Sequence, residues 1–80
     1  MLKELVEYIV KKLVDRPESV SVSEISGEQA TIIELRVAPE DLGKVIGKEG
    51  KTIKAIRNLV SMTAINKGIK KKIPVEIVDE

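Results

Sequence analysis

Val45-Ile46-Gly47-Lys48-Glu49-Gly50-Lys51-Thr52-Ile53 is the stretch on which the reading of this chain turns. It joins two helical patterns through a pair of glycines. Upstream, Ala38-Pro39-Glu40-Asp41 starts a helix, because proline suits a first turn and acids complement the positive helix end. Gly43, Gly47 and Gly50 keep that helix short. Downstream, a longer helix is predicted from about Lys51 to Asn66. Its Thr52, Ile53, Ile56, Leu59, Val60 and Thr63 fall within about 120° on the wheel and face a core, with Lys51, Lys54 and Asn58 opposite. Gly47 is expected to end the first helix in a left-handed conformation, and Gly50 to let a backbone approach the second helix closely. The N–H groups at that helix start carry a partial positive charge, which suits phosphate. Lys44, Lys48 and Lys51 stand around the turn, and Val45, Ile46 and Ile53 supply an apolar strip beside it. A phosphate clamp next to aliphatic surface suits single-stranded nucleic acid.

The flanking sequence supplies the rest of the domain. Leu2, Leu5, Val6, Ile9, Val10, Leu13 and Val14 follow a helical period, and Pro17 ends it. Ser19 to Ser23 alternates polar with apolar as a half-buried strand, Ser26 to Gln29 reads as a turn, and Thr31 to Val37 alternates again. The short connection makes the two strands an antiparallel hairpin. Lys67-Gly68 ends the long helix, and Ile73, Val75 and Ile77 mark a last strand whose Pro74 argues for a sheet edge. The expected fold class is α+β, in the order α-β-β-α-α-β, with helices on one face of a three-stranded sheet. The last strand, reached by a helical crossover, should run parallel to its hairpin neighbour. No repeat or linker interrupts residues 1–80, so one domain is expected.

Composition narrows the function. The chain has 80 residues, 42% of them hydrophobic and 34% charged, a globular balance. It contains no cysteine and no histidine, which removes thiol nucleophiles, the commonest general base and the commonest metal ligands. The serines (Ser19, Ser21, Ser23, Ser26 and Ser61) have no base in a recognisable arrangement, so no enzyme, catalytic residue, cofactor or metal site is expected. No apolar run nears the roughly 18 residues a membrane span needs, and the chain opens on no signal-peptide pattern. A cytoplasmic binding protein without a membrane partner is therefore expected. The net charge of +1 conceals a sharp division. Residues 1–42 carry net −4, residues 43–72 carry nine basic side chains against Glu49, and residues 73–80 carry net −3. An anionic partner feels the local field within a Debye length of about 8 to 10 Å, not the total.

Other readings of the loop fit less well. Gly50-Lys51-Thr52 imitates the end of a phosphate-binding P-loop, but Val45 stands where that motif needs glycine, and a helix precedes it instead of a strand. No G-x-G-x-x-G is present. A helix–helix turn using glycine only for geometry does not explain three lysines around it.

Residues 45–53 resemble the V-I-G-x-x-G-x-x-I signature of the KH domain, whose GXXG loop clamps about four nucleotides of RNA. The resemblance extends to the small single-domain bacterial KH proteins of the KhpA family, through Leu2 to Pro17, Glu34 to Asp41 and Val75 to Asp79. It implies a type II KH fold. It implies RNA phosphates against Gly47, Lys48, Glu49 and Gly50, with Lys44 and Lys51 nearby. Bases would lie in a groove bordered by Ile46, Ile53 and the second hairpin strand, flanked by Lys54 and Arg57. Glu49 brings negative charge to the phosphate position, where it either hydrogen-bonds at the helix start or weakens binding. Lys70-Lys71-Lys72 reads as a solvated loop, the alternative being an extension of the backbone contact. The resemblance further implies an RNA chaperone acting with a KhpB-type (Jag-like) partner in post-transcriptional control linked to cell-wall homeostasis and cell length. The competing reading is a protein-interaction or homodimerisation module using the same loop. Tyr8 is the sole aromatic residue, so no stacking platform exists and weak, loosely selective binding follows. A partner or dimer would raise affinity through effective concentration.

Overall fold

Helix α1 (Leu2–Leu13) forms because apolar residues recur at helical spacing in a run free of glycine and proline. In the computed structural model of the protein, which describes residues 2–78, its Leu2, Val6 and Val10 are buried. Asp79 and Glu80, part of the acidic terminus in the charge reading, lie outside the described residues. The helix ends at Leu13, ahead of Pro17, which starts a 3-10 turn over Pro17–Ser19. The N–H groups of Ser19 and Val20 donate to the carbonyls of Arg16 and Pro17 at 3.0 and 3.2 Å. Those bonds hold Ser19 in the turn, so strand β1 (Ser21–Ser26) begins two residues later than the alternation predicts. Its far end runs into the expected turn, which Gly27 closes by donating to the Ala30 carbonyl at 2.8 Å.

Strand β2 (Thr31–Arg36) pairs antiparallel with β1, from Ser21 opposite Arg36 to Ser26 opposite Thr31. Strand β3 (Val75–Ile77) pairs parallel with β2, placing Val75 opposite Ile33 and Ile77 opposite Leu35. The order is β1-β2-β3. The parallel pairing follows from the helical crossover, which returns the chain to the same end of the sheet. Pro74 immediately precedes an edge strand, where its missing N–H costs no ladder bond, and its carbonyl accepts from the Ile33 N–H at 2.9 Å.

Between the strands lie α2 (Leu42–Ile46) and α3 (Lys51–Asn66), completing the expected α-β-β-α-α-β order. Val22, Ile33, Leu35 and Val75 face the helices and are buried with them. Ser21, Glu34 and Glu76 alternate onto the helix-free face. The buried stripe of α3 is Ile53, Ile56, Val60 and Ala64, narrower than the wheel suggests and rotated from it. Leu59 is 41% exposed, while Thr52 and Thr63 are half-buried. Ala64 joins the core because a methyl side chain lets α3 approach closely, and the rotation turns Leu59 outward.

Candidate nucleic-acid interface

The glycine loop is held in position by α2. A 3-10 turn at Pro39–Asp41 leads into α2, and fully buried Val45 anchors it. The positioning residue is Asp41, which sequence reading assigned only to the helix dipole. Its carboxylate is 1% exposed and accepts from the N–H groups of Asp15 and Arg16 at 3.2 and 2.9 Å. It thereby fastens α2 to the end of α1. Burial pushes this carboxyl upward most strongly, but the two N–H donors and Lys44 together outweigh it, and it titrates below its ordinary 3.8. Lys44 Nζ lies 3.0 Å from Asp15 and 3.5 Å from Asp41. The hydrogen bond and charge of Asp15, with the charge of Asp41, hold the Lys44 ammonium above its ordinary 10.5. The structure thus draws Lys44 into an acidic cluster and away from the loop.

The chain then turns within four residues. Gly47 has φ 78° and ψ 171°, a combination open only to glycine. A Cβ there would lie 2.7 Å from Thr52 Cβ and 2.8 Å from Thr52 N. Backbone conformation and close approach both require glycine here, and the ψ of Gly47 is extended, not helical as expected. Gly50 has φ 75° and ψ 15°, and a Cβ there would meet nothing within 4 Å. Its glycine serves the left-handed backbone alone. Lys48 and Glu49 lie between, in a 3-10 turn closed by the Gly50 N–H donating to the Gly47 carbonyl at 3.1 Å.

Lys48 and Lys51 are exposed at the loop. Ile46 is 37% exposed beside it, whereas Ile53 is 6% exposed and supports the strip from beneath. From Lys51, steps of three or four residues lead through Lys54 and Arg57 to Ser61 and Ile65 on one side of α3. This stripe runs beside a groove of about 830 Å³ whose α3 wall is Arg57, Ser61, Ala64 and Ile65. The opposite wall is formed by Lys70–Pro74, with Ala30 just ahead of β2. The groove therefore lies further along α3 than Ile46 and Ile53. Its Ile65, 72% exposed and off the core face of the wheel, was the available sequence signal. Arg57 ties α3 to the sheet edge, its Nε and Nη2 donating to the Val75 carbonyl at 3.2 and 3.0 Å. Lys71 Nζ donates to the Gly27 carbonyl at 2.7 Å and fixes the groove wall to the hairpin turn. Lys48, Lys54, Lys67, Lys70 and Lys72 have no ion pair among the described residues.

A helix–GXXG–helix loop on this mixed sheet has a direct counterpart among known families. The family model for the KH domain of KhpA/KhpB matches residues 3–77. The chain belongs to the KhpA/KhpB KH-domain family. Its relatives include the RNA-binding protein KhpA of Clostridium perfringens, 56% identical over 77 residues, spanning 96% of this chain and 100% of the relative. The RNA-binding protein KhpA of Aquifex aeolicus is 47% identical over 78 residues, covering 98% of this chain and 96% of its own length. The element order and mixed sheet are those of a type II KH fold. Solved structures share that fold: Era in complex with MgGDPNP and nucleotides 1506–1542 of 16S ribosomal RNA aligns with a TM-score of 0.64 at 20% identity. Aquifex aeolicus Era bound to GDP and AlF4− aligns with a TM-score of 0.63. The alignments cover 99% of this chain and 31% of each Era chain. KhpA/KhpB KH domains are binding modules, not enzymes. Among the described residues, no helix is long and apolar enough to cross a membrane, and no cluster of three or more acidic side chains could hold a metal.

Proposed function

We propose that residues 1–80 act as one KH domain that binds single-stranded RNA, with a phosphate at Gly47–Gly50 and the strand continuing along α3. Lys48 and Lys51 contribute charge at the loop, Ile46 a base contact, and Ile53 the support beneath it. Lys54 and Arg57 lead the strand into the groove walled by Lys70–Pro74. Lys44 acts structurally in this reading. The observation that carries the proposal is the outward-facing GXXG turn, in a family whose close relatives are named RNA-binding protein KhpA. Family membership alone supports the finer role: a cytoplasmic RNA chaperone working with a KhpB-type partner in post-transcriptional control linked to cell-wall homeostasis and cell length.

The test is fluorescence anisotropy of a labelled 12-nucleotide RNA, longer than the roughly four-nucleotide KH footprint, at two salt concentrations. Wild type is compared with a folded loop variant carrying Lys48→Asp and Glu49→Asp. Salt-sensitive binding lost in the variant is the expected result. Equal binding by both moves the site to another face.

A second reading rests on a separate observation. Leu59, Met62 and Ile65 of α3 are 41%, 55% and 72% exposed, an apolar surface larger than α3 needs for its own packing. It favours self-association or partner docking through α3 in place of the loop. Sedimentation of the wild type and of Met62→Lys, with and without RNA, distinguishes the two: a dimer abolished by the substitution while RNA binding persists assigns separate faces.

A further inference from the structure

Glu49 is the one residue of the loop that folding does not explain. It is the only non-glycine residue with positive φ among the described residues, at φ 58° and ψ 24°. A glutamate held in the left-handed region costs on the order of 1 kcal/mol, and glycine or asparagine would relieve most of it. Nothing in the fold recovers that cost. The side chain is 73% exposed, and its one polar contact is Lys51 Nζ at 3.9 Å. It makes no hydrogen bond to the start of α3, which removes the capping role. An outlier without a folding purpose, on a loop that faces the ligand, points to a role in binding.

The carboxylate stands ahead of a 16-residue helix, beside one of the two lysines that flank the loop. It carries the same sign of charge as a phosphate arriving at the proposed loop site. We propose that Glu49 is a built-in competitor of the RNA phosphate: it partly neutralises Lys51 and repels the backbone, so the loop releases RNA readily instead of retaining it. This rests on the proposed RNA site at the loop and adds its regulation. The neutral isostere tests the charge alone, since Gln adopts the same backbone at the same cost.

The experiment measures affinity and dissociation rate for the 12-nucleotide RNA with wild type, Glu49→Gln, Lys48→Ala and Glu76→Gln. Glu76 lies exposed on the helix-free face, so Glu76→Gln makes the same change in net charge away from the loop. Circular dichroism and thermal melts confirm that all four are folded. Glu49→Gln should bind about 3- to 10-fold tighter at low salt, as removal of one like charge near 4–5 Å implies. Its dissociation should slow by a similar factor, and its salt slope should steepen by about 0.7, one more counterion released from a single strand. Glu76→Gln should stay within about twofold of wild type, and Lys48→Ala should weaken binding. If Lys48→Ala weakens binding while Glu49→Gln does not exceed Glu76→Gln, the competitor role is overturned and the loop site stands. If neither loop substitution alters binding, or no protein binds, the loop site and the competitor role fall together.

Discussion

Gly47 and Gly50 are one motif in sequence and two different constraints in space. At Gly47 an added methyl meets Thr52 as well as an unfavourable backbone, whereas at Gly50 only the backbone objects. Gly47→Ala should therefore cost about 2–4 kcal/mol and Gly50→Ala about 1–2 kcal/mol, read from urea midpoints at constant m-value. Equal losses would mean that Thr52 moves aside freely. Asp41 shows a different residue-scale effect. Its folded-state pKa is depressed, so its contribution to stability is complete above the ordinary 3.8 and is lost as pH falls through the folded value. Asp41→Asn should lower the melting temperature by about 5–10 °C at pH 7 and flatten the loss of stability expected on acidification below the ordinary 3.8. A parallel loss in both proteins would assign the acid limb to other carboxylates. The raised pKa of Lys44 acts at the opposite limb, with its contribution lost only as pH rises above 10.5.

At the scale of elements, the end of α3 decides where the groove wall begins. Gly68, at φ 74°, lets the Ile69 N–H reach the Ala64 carbonyl at 2.9 Å and its own N–H reach the Ile65 carbonyl at 3.0 Å. This is a Schellman end, accompanied by burial of Ala64 and packing of Ile69 on the core. A Cβ at Gly68 would meet nothing within 4 Å. Gly68→Ala should thus cost about 1–2 kcal/mol through backbone conformation alone. Because Lys70–Pro74 follow directly, the same substitution should also weaken RNA binding by anisotropy if the strand reaches the groove. Unchanged affinity with lowered stability would confine RNA to the loop.

For the whole molecule, the count of basic residues overstates the field that a ligand meets. Of the nine basic side chains in residues 43–72, Lys44 is held by two acids and Lys51 is shared with Glu49, while Arg57 and Lys71 keep their charge but commit donors to carbonyls. The remaining lysines support about three to four phosphate contacts, which gives a log–log salt slope of about 2–3 for a single strand. Lys44→Met should leave that slope unchanged while lowering thermal stability. A slope reduced by about 0.7 would put Lys44 back among the phosphate contacts.

Hydrophobic period and turn chemistry made the element order, the parallel crossover and the helix–GXXG–helix loop legible, because these are local consequences of residue type and spacing. Gly68 ended α3 where steric rules require, Pro17 marked a limit that α1 stops short of at Leu13, and the strand alternations identified the buried faces of β2 and β3. What escaped the sequence were relations between distant residues. Asp41 and Asp15 lie 26 positions apart, and only their packing together gives Lys44, read from sequence as a loop cation, two carboxylate partners. The rotation of α3 that exposes Leu59 and buries Ala64 depends on which side chains oppose it across the core. The groove beyond Arg57 exists only where Lys70–Pro74 folds back against the helix. Spacing along a chain encodes periodicity and turns; the neighbours that set a charge's partner or a helix's rotation are chosen by close packing in three dimensions.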